Sequence, residues 1–171
     1  MRRIAVIDSS CLINLAHLGF APRLVQYFDL IYVPRKVQEE VNRKSKFRYR
    51  LNKLYGSGLF QRCASADHYR VKLLTDGSLD GGEAEGLVQA QEREATFFVA
   101  DERRARAIAE KQGLISVGTV RLIGRICLEE FRFQGYAERT RSLVAKLKKD
   151  LRFRVDEDVV DTAIEHAPKP I

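Results

Sequence analysis

Asp8 follows directly on an apolar run at 4–7, and Asp101 follows directly on a second apolar run at 97–100. Two strand-like segments thus end on a carboxylate, and an open α/β sheet binds its ligands at the carboxyl ends of its strands. Two more acids have comparable placement. Glu40 lies in a helix-forming stretch after the apolar residues 30–33, and Glu83 comes just after the turn signal Gly81-Gly82. In a parallel α/β fold such positions converge on one edge of the sheet. Carboxylates gathered there repel one another unless some are protonated or a cation neutralises them. Mg2+ or Mn2+ suits an all-oxygen set and can bridge to a substrate phosphate. That combination performs metal-assisted phosphodiester hydrolysis.

Each acid also has a plainer structural reading. Asp8 and Asp101 are good helix caps, and Glu40 sits with Gln38 and Glu39 on what reads as a solvated helix face. Glu83 and Glu85 are first-turn acids that favour the helix dipole. Recurrence at strand ends is what lifts the set above its members. Other chemistries fare worse. His17, His68 and His166 have no metal-ligand spacing, and no Ser or Cys nucleophile motif is present. There is no G-x-x-x-x-G-K-[ST] and no G-x-G-x-x-G. An aspartyl phosphotransferase would want a second acid two residues past the first, where Ser10 stands. Cys11, Cys63 and Cys127 are widely spaced with no CxxC, which points away from disulfides and zinc and toward a reduced cytoplasm. The apolar runs are too short to cross a bilayer and the start lacks a signal-peptide h-region, so neither a membrane nor export is expected.

The elements that must position these acids alternate between strand and helix signals, which argues for a central parallel sheet covered by helices. Strands are expected at 3–7, 30–33, 61–64, 96–100 and 115–117. Helices are expected at 10–18 and 22–28, then from Pro34 at a first helical turn through Val37, Glu40 and Val41. Further helices are expected at 67–74 and 83–93, and along Ala105, Ile108 and Ala109 up to Gly113. Thr119 can cap a helix carrying Leu122, Ile123, Ile126 and Cys127. A basic helix at 137–151 and a helix opened by Asp156 follow. At 171 residues, 45% of them hydrophobic, one compact domain is the default.

Thirty Lys and Arg against 23 Asp and Glu give a net charge of +7, which favours an anionic partner such as nucleic acid. The charge is concentrated. From 41 to 66 there is no acid, while Arg43, Lys44, Lys46, Arg48, Arg50, Lys53 and Arg62 stand among Phe47, Tyr49, Tyr55 and Phe60. Cations that neutralise phosphates and aromatics that stack on bases suit single-stranded nucleic acid. A solvated helix with inward aromatics is the alternative.

Taken together, the segments VIDSSCLINLAHLG (6–19), VPRKVQEEV (33–41), LDGGEAEGLVQAQ (79–91) and VADERRARAIAEKQGLISVGTVRLI (99–123) resemble PIN domains. The resemblance is to the prokaryotic branch that includes VapC-like toxins, and it extends to the tail SLVAKLKKDLRFRVDEDVVDTAIEHA at 142–167. It implies a three-layer α/β/α sandwich around a central parallel sheet, as a single domain over 1–171 with a helical C-terminal segment from about 137. It also implies an Mg2+- or Mn2+-dependent ribonuclease. Asp8, Glu40, Glu83 and Asp101 match the family's acidic quartet, and Ser9 or Ser10 matches its supporting hydroxyl. Glu39 competes with Glu40 for the second place, and Glu102 matches a second acid beside the fourth. The implied partners are an RNA substrate, a cognate antitoxin protein and a second copy in a homodimer. A non-catalytic nucleic-acid-binding module whose acids are caps is the alternative.

Overall fold

The computed structural model describes residues 2–43, 52–63, 67–77, 79–131 and 135–171. They form two compact units, Met1–Val117 and Gly118–Ile171.

The first unit holds five strands: β1 (Ile4–Ile7), β2 (Leu30–Pro34), β3 (Phe60–Cys63), β4 (Phe97–Val99) and β5 (Ile115–Val117). Between them run α1 (Ser9–His17), a 3-10 helix (Ala21–Gln26), α2 (Arg35–Arg43), α3 (His68–Asp76), α4 (Gly81–Glu92) and α5 (Arg103–Lys111). The strand order is β3-β2-β1-β4-β5 and every pairing is parallel.

The short continuous apolar runs become strands because a parallel sheet is covered on both faces and has no solvated side to alternate toward. Register divides the side chains between those faces. Val6 lies opposite Tyr32 and Phe98, and with Ala84 and Leu87 of α4 and Ala105 of α5 it builds one core. Ala5 lies opposite Ile31 and Phe97. Phe97 meets Phe28, just past the 3-10 helix, edge to face at 5.3 Å on the other side. The result is the expected α/β/α layering. Winding direction reverses at the centre, since the chain leaves β1 toward β2 but leaves β4 toward β5. The carboxyl ends of β1 and β4 therefore flank the switch point, where open α/β sheets bind ligands.

Two of the boundaries that differ from the sequence reading bear on the acids. Pro34 ends β2 instead of opening α2, in register with Cys63 of β3. Proline cannot donate to a ladder and so closes a strand. The amide of Lys36 in the first turn of α2 instead donates to the Glu85 carboxylate at 2.8 Å. α4 starts at Gly81, two residues early, because Asp80 caps it. Asp80 Oδ1 accepts from the amides of Gly82 and Glu83 at 2.8 Å each. Glu83 Oε2 accepts in return from the Asp80 amide at 3.2 Å, completing a capping box.

The second unit is helical: α6 (Thr119–Phe131), α7 (Tyr136–Leu151) and α8 (Glu157–His166). Thr119 is the first helical residue of α6 and not a cap ahead of it. Gly124 lets α6 approach α8, since a Cβ there would stand 3.4 Å from the Ala163 carbonyl oxygen. Arg125 Nη1 donates to the carbonyls of Ala167 and Pro168 at 3.1 and 3.2 Å, satisfying acceptors at the end of α8. Among the described residues no helix is long and apolar enough to cross a membrane.

Candidate active site

Asp8 is both a cap and a strand-end acid. Its Oδ1 accepts from the Cys11 amide at 2.7 Å and so caps α1. Its Oδ2 accepts from the Ser10 hydroxyl at 2.9 Å. The Asp8 amide donates to the Val99 carbonyl at 2.9 Å, which locks this residue to the end of β4. Asp8 is buried, and its hydrogen-bond donors, an amide and a hydroxyl, are neutral. Burial, and next the negative charge of Asp101, push its carboxyl up from 3.8 to about 7.

Asp101 stands two residues past the end of β4, on the strand next to β1. Unlike Asp8 it is not the cap of the helix that follows, since Glu102 occupies that position on α5 without a side-chain capping bond. Asn14, buried in the middle of α1, donates through Nδ2 to Asp101 Oδ2 at 3.4 Å. A helix that follows β1 thus orients the acid that follows β4. Of the two candidate hydroxyls, Ser10 is the one that bonds Asp8.

Glu83 and Glu40 come together through the start of α4. Glu83 is buried. Burial raises its carboxyl pKa most, followed by the charge of Asp80, with Glu102 and Glu40 adding to the rise. Glu40 approaches where a side chain is missing, for a Cβ on Gly82 would stand 3.2 Å from Glu40 Oε1. Glu39 is instead exposed and paired with Arg35 at 2.9 Å. Glu85, equally buried, serves α2 through the Lys36 amide.

The structure brings the acids together as two pairs, Asp8 with Asp101 and Glu83 with Glu40. Glu102 joins them, being next to Asp101 in the chain and close enough to act on Glu83. Among the described residues no three His, Cys, Asp or Glu side chains are gathered so that they could hold a metal ion together. The side chains of both pairs offer only oxygen, the donor type a hard divalent cation prefers. Burial first, and neighbouring acids second, raise the carboxyls of Asp8 and Glu83.

Of the basic segment, Lys44, Lys46, Arg48 and Arg50 lie outside the described residues. Arg43 and Lys53 are exposed. Arg62 is engaged within the fold, its guanidinium 4.0 Å from the Tyr55 ring centroid and its Nη2 donating to Asn52 at 2.9 Å.

Sequence reasoning missed Asn14 and Asp80. The D-x-x-E spacing of Asp80 and Glu83 was a capping-box signal, whereas nothing local marks Asn14. No curated protein matches the chain at a significant level. A family profile described as a PIN domain matches residues 4–169, across both units. PIN domains are generally nucleases, and the parallel sheet with its acid-ended central strands has their architecture. The chain belongs to the PIN-domain family.

Proposed function

We propose that this protein is a metal-dependent endoribonuclease whose site is the acidic edge formed by Asp8, Asp101, Glu83 and Glu40. The supporting observation is the pair Asp8 and Asp101 at the ends of adjacent strands, with Asp8 pushed up to about 7 by burial and then by the charge of Asp101. Asp8 and Asp101 would hold Mg2+ or Mn2+, with Glu40 and Glu83 completing the set. When bound, such an ion supplies an acidified water and neutralises charge on the phosphate.

The chain's own groups do the rest. Ser10 and the Cys11 amide fix the Asp8 carboxylate, and Asn14 fixes that of Asp101. Glu83 Oε1, the oxygen not engaged by Asp80, is the proton acceptor, and burial, then the charge of Asp80, raises its affinity for a proton, as suits a general base. Setting these four of the 23 acids aside leaves 19 against 30 bases, so the remaining surface attracts an RNA strand. Action as the toxin of a toxin and antitoxin pair, as a homodimer, is the setting that the sequence resemblance suggests for this activity.

The test is cleavage of single-stranded RNA by the purified protein with Mn2+, beside Asp8→Asn, with circular dichroism to confirm folding. We expect product from the native protein only. Cleavage at the native rate by Asp8→Asn removes the proposal. The capping roles of Asp8 and Glu83 favour a second reading, a binding module without catalysis. RNA binding that ignores divalent ions and yields no product would establish it.

A further inference from the structure

α2 and the first turn of α4 meet through two adjacent glycines. A Cβ on Gly81 would run into Lys36 Nζ and stand 3.0 and 3.2 Å from Cδ and Cε of the same side chain. A Cβ on Gly82 would stand 3.2 Å from Glu40 Oε1. Lys36 and Glu40 are one turn apart on α2 and so share a face. Lys36 covers Gly81 and Glu40 covers Gly82, so both lie over the turn that leads into Glu83. The backbone under Lys36 is fixed, because its amide donates to buried Glu85 at 2.8 Å. The ammonium has no carboxylate partner among the described residues, although its neighbour Arg35 is paired with Glu39.

We propose that Lys36 is the substrate-positioning cation of this site, its ammonium taking a non-bridging oxygen of the scissile RNA phosphate. This assignment rests on the ribonuclease reading above. Net positive charge attracts RNA to the molecule but does not bring a phosphate to an edge lined with carboxylates. A cation at the rim of that edge does. Lysine suits the task as a compact point charge that binds phosphate. Gly81 matters equally, for the lysine stem occupies the volume that any side chain at 81 would claim. An alanine there displaces the ammonium while leaving its charge in place, and the first turn of a helix tolerates alanine well.

Three variants test this: Lys36→Met, which keeps the stem and removes the charge; Gly81→Ala, which keeps the charge and moves it; and Lys36→Arg. Single-turnover cleavage with Mn2+, RNA affinity against salt, and thermal midpoint are measured for each. We expect Lys36→Met and Gly81→Ala to slow cleavage by about 10-fold or more at unchanged midpoint, and Lys36→Arg to recover part of the rate. The salt slope of RNA binding should fall by about one charge's worth in Lys36→Met alone. Native rates in both Lys36→Met and Gly81→Ala, with Asp8→Asn inactive, overturn the role of Lys36 and leave the nuclease standing. A loss of rate that merely tracks a falling midpoint overturns it as well. Native cleavage by Asp8→Asn brings down the underlying reading instead.

Discussion

Asp8 and Asp101 end adjacent parallel strands, and the charge of Asp101 adds to burial in raising the Asp8 carboxyl from 3.8 to about 7. The folded protein therefore holds this proton more tightly than the unfolded chain does. Its contribution to stability is fully present below about pH 4 and is lost as pH rises through about 7. In chelator, wild type should lose on the order of 4 kcal/mol relative to Asp8→Asn between pH 4 and 8. Urea unfolding of the two proteins across that window measures the difference. A constant gap between them contradicts the assignment.

Divalent metal should act in the opposite sense. A cation between Asp8 and Asp101 requires Asp8 to be ionised, so binding releases a proton below pH 7 and weakens as pH falls. Mn2+ at 100 times its Kd should stabilise the fold by about 2.7 kcal/mol. Calorimetry in two buffers of different ionisation enthalpy reads the proton directly. Affinity that is flat from pH 5.5 to 7 would count against metal at this pair.

Glu83 and Glu85 are two residues apart and both buried, yet should behave differently. Glu83→Gln keeps an oxygen for the Asp80 amide, so stability should move by less than about 0.5 kcal/mol while cleavage falls about 100-fold or more. Glu85→Ala leaves the Lys36 amide without its acceptor and should cost about 1–3 kcal/mol of stability. Its rate per folded molecule should fall far less than that of Glu83→Gln. Unfolding curves paired with single-turnover rates separate the two, and a reversed pattern would exchange their roles.

Asn14 gives a charge test. Asn14→Ala removes a donor to Asp101, whereas Asn14→Asp places a third acid beside two that already repel. In chelator at pH 8, thermal midpoints should rank native, then Asn14→Ala, then Asn14→Asp. At pH 5 the gap between the two variants should narrow as carboxyls take up protons. An Asn14→Asp protein as stable as the native one at pH 8 would show that the pair is not crowded.

Much of the frame was legible because covered parallel strands are continuous apolar runs, and β1, β2, β4 and β5 lie where those runs lie. Asp8 and Asp101 were legible for the same reason, as the first polar residues past β1 and β4. Glu40 and Glu83 joined them by their placement near the starts of helices that follow a strand or a tight turn, and the family resemblance gave the same four. Glu40 already stood ahead of Glu39 by its place just before Val41, whereas choosing Ser10 over Ser9 needed coordinates that show which hydroxyl meets Asp8. Asn14 stayed hidden because its partner lies 87 residues away. The approach of Lys36 to Gly81 depends on how two helices pack, which no local pattern encodes.

The bonds that hold Asp8 bear on ion choice. Both of its oxygens are committed to α1, and Asp101 is braced by Asn14 from the same helix. That side of the site is a fixed jaw. Glu40 stands on another helix, against Gly82, and Glu102 at a cap position that makes no capping bond, both on longer side chains. In the proposed metal site they would form a movable jaw. Ions of different radius would meet the same aspartates, and discrimination between Mg2+ and the larger Ca2+ would fall to how far the glutamates can close.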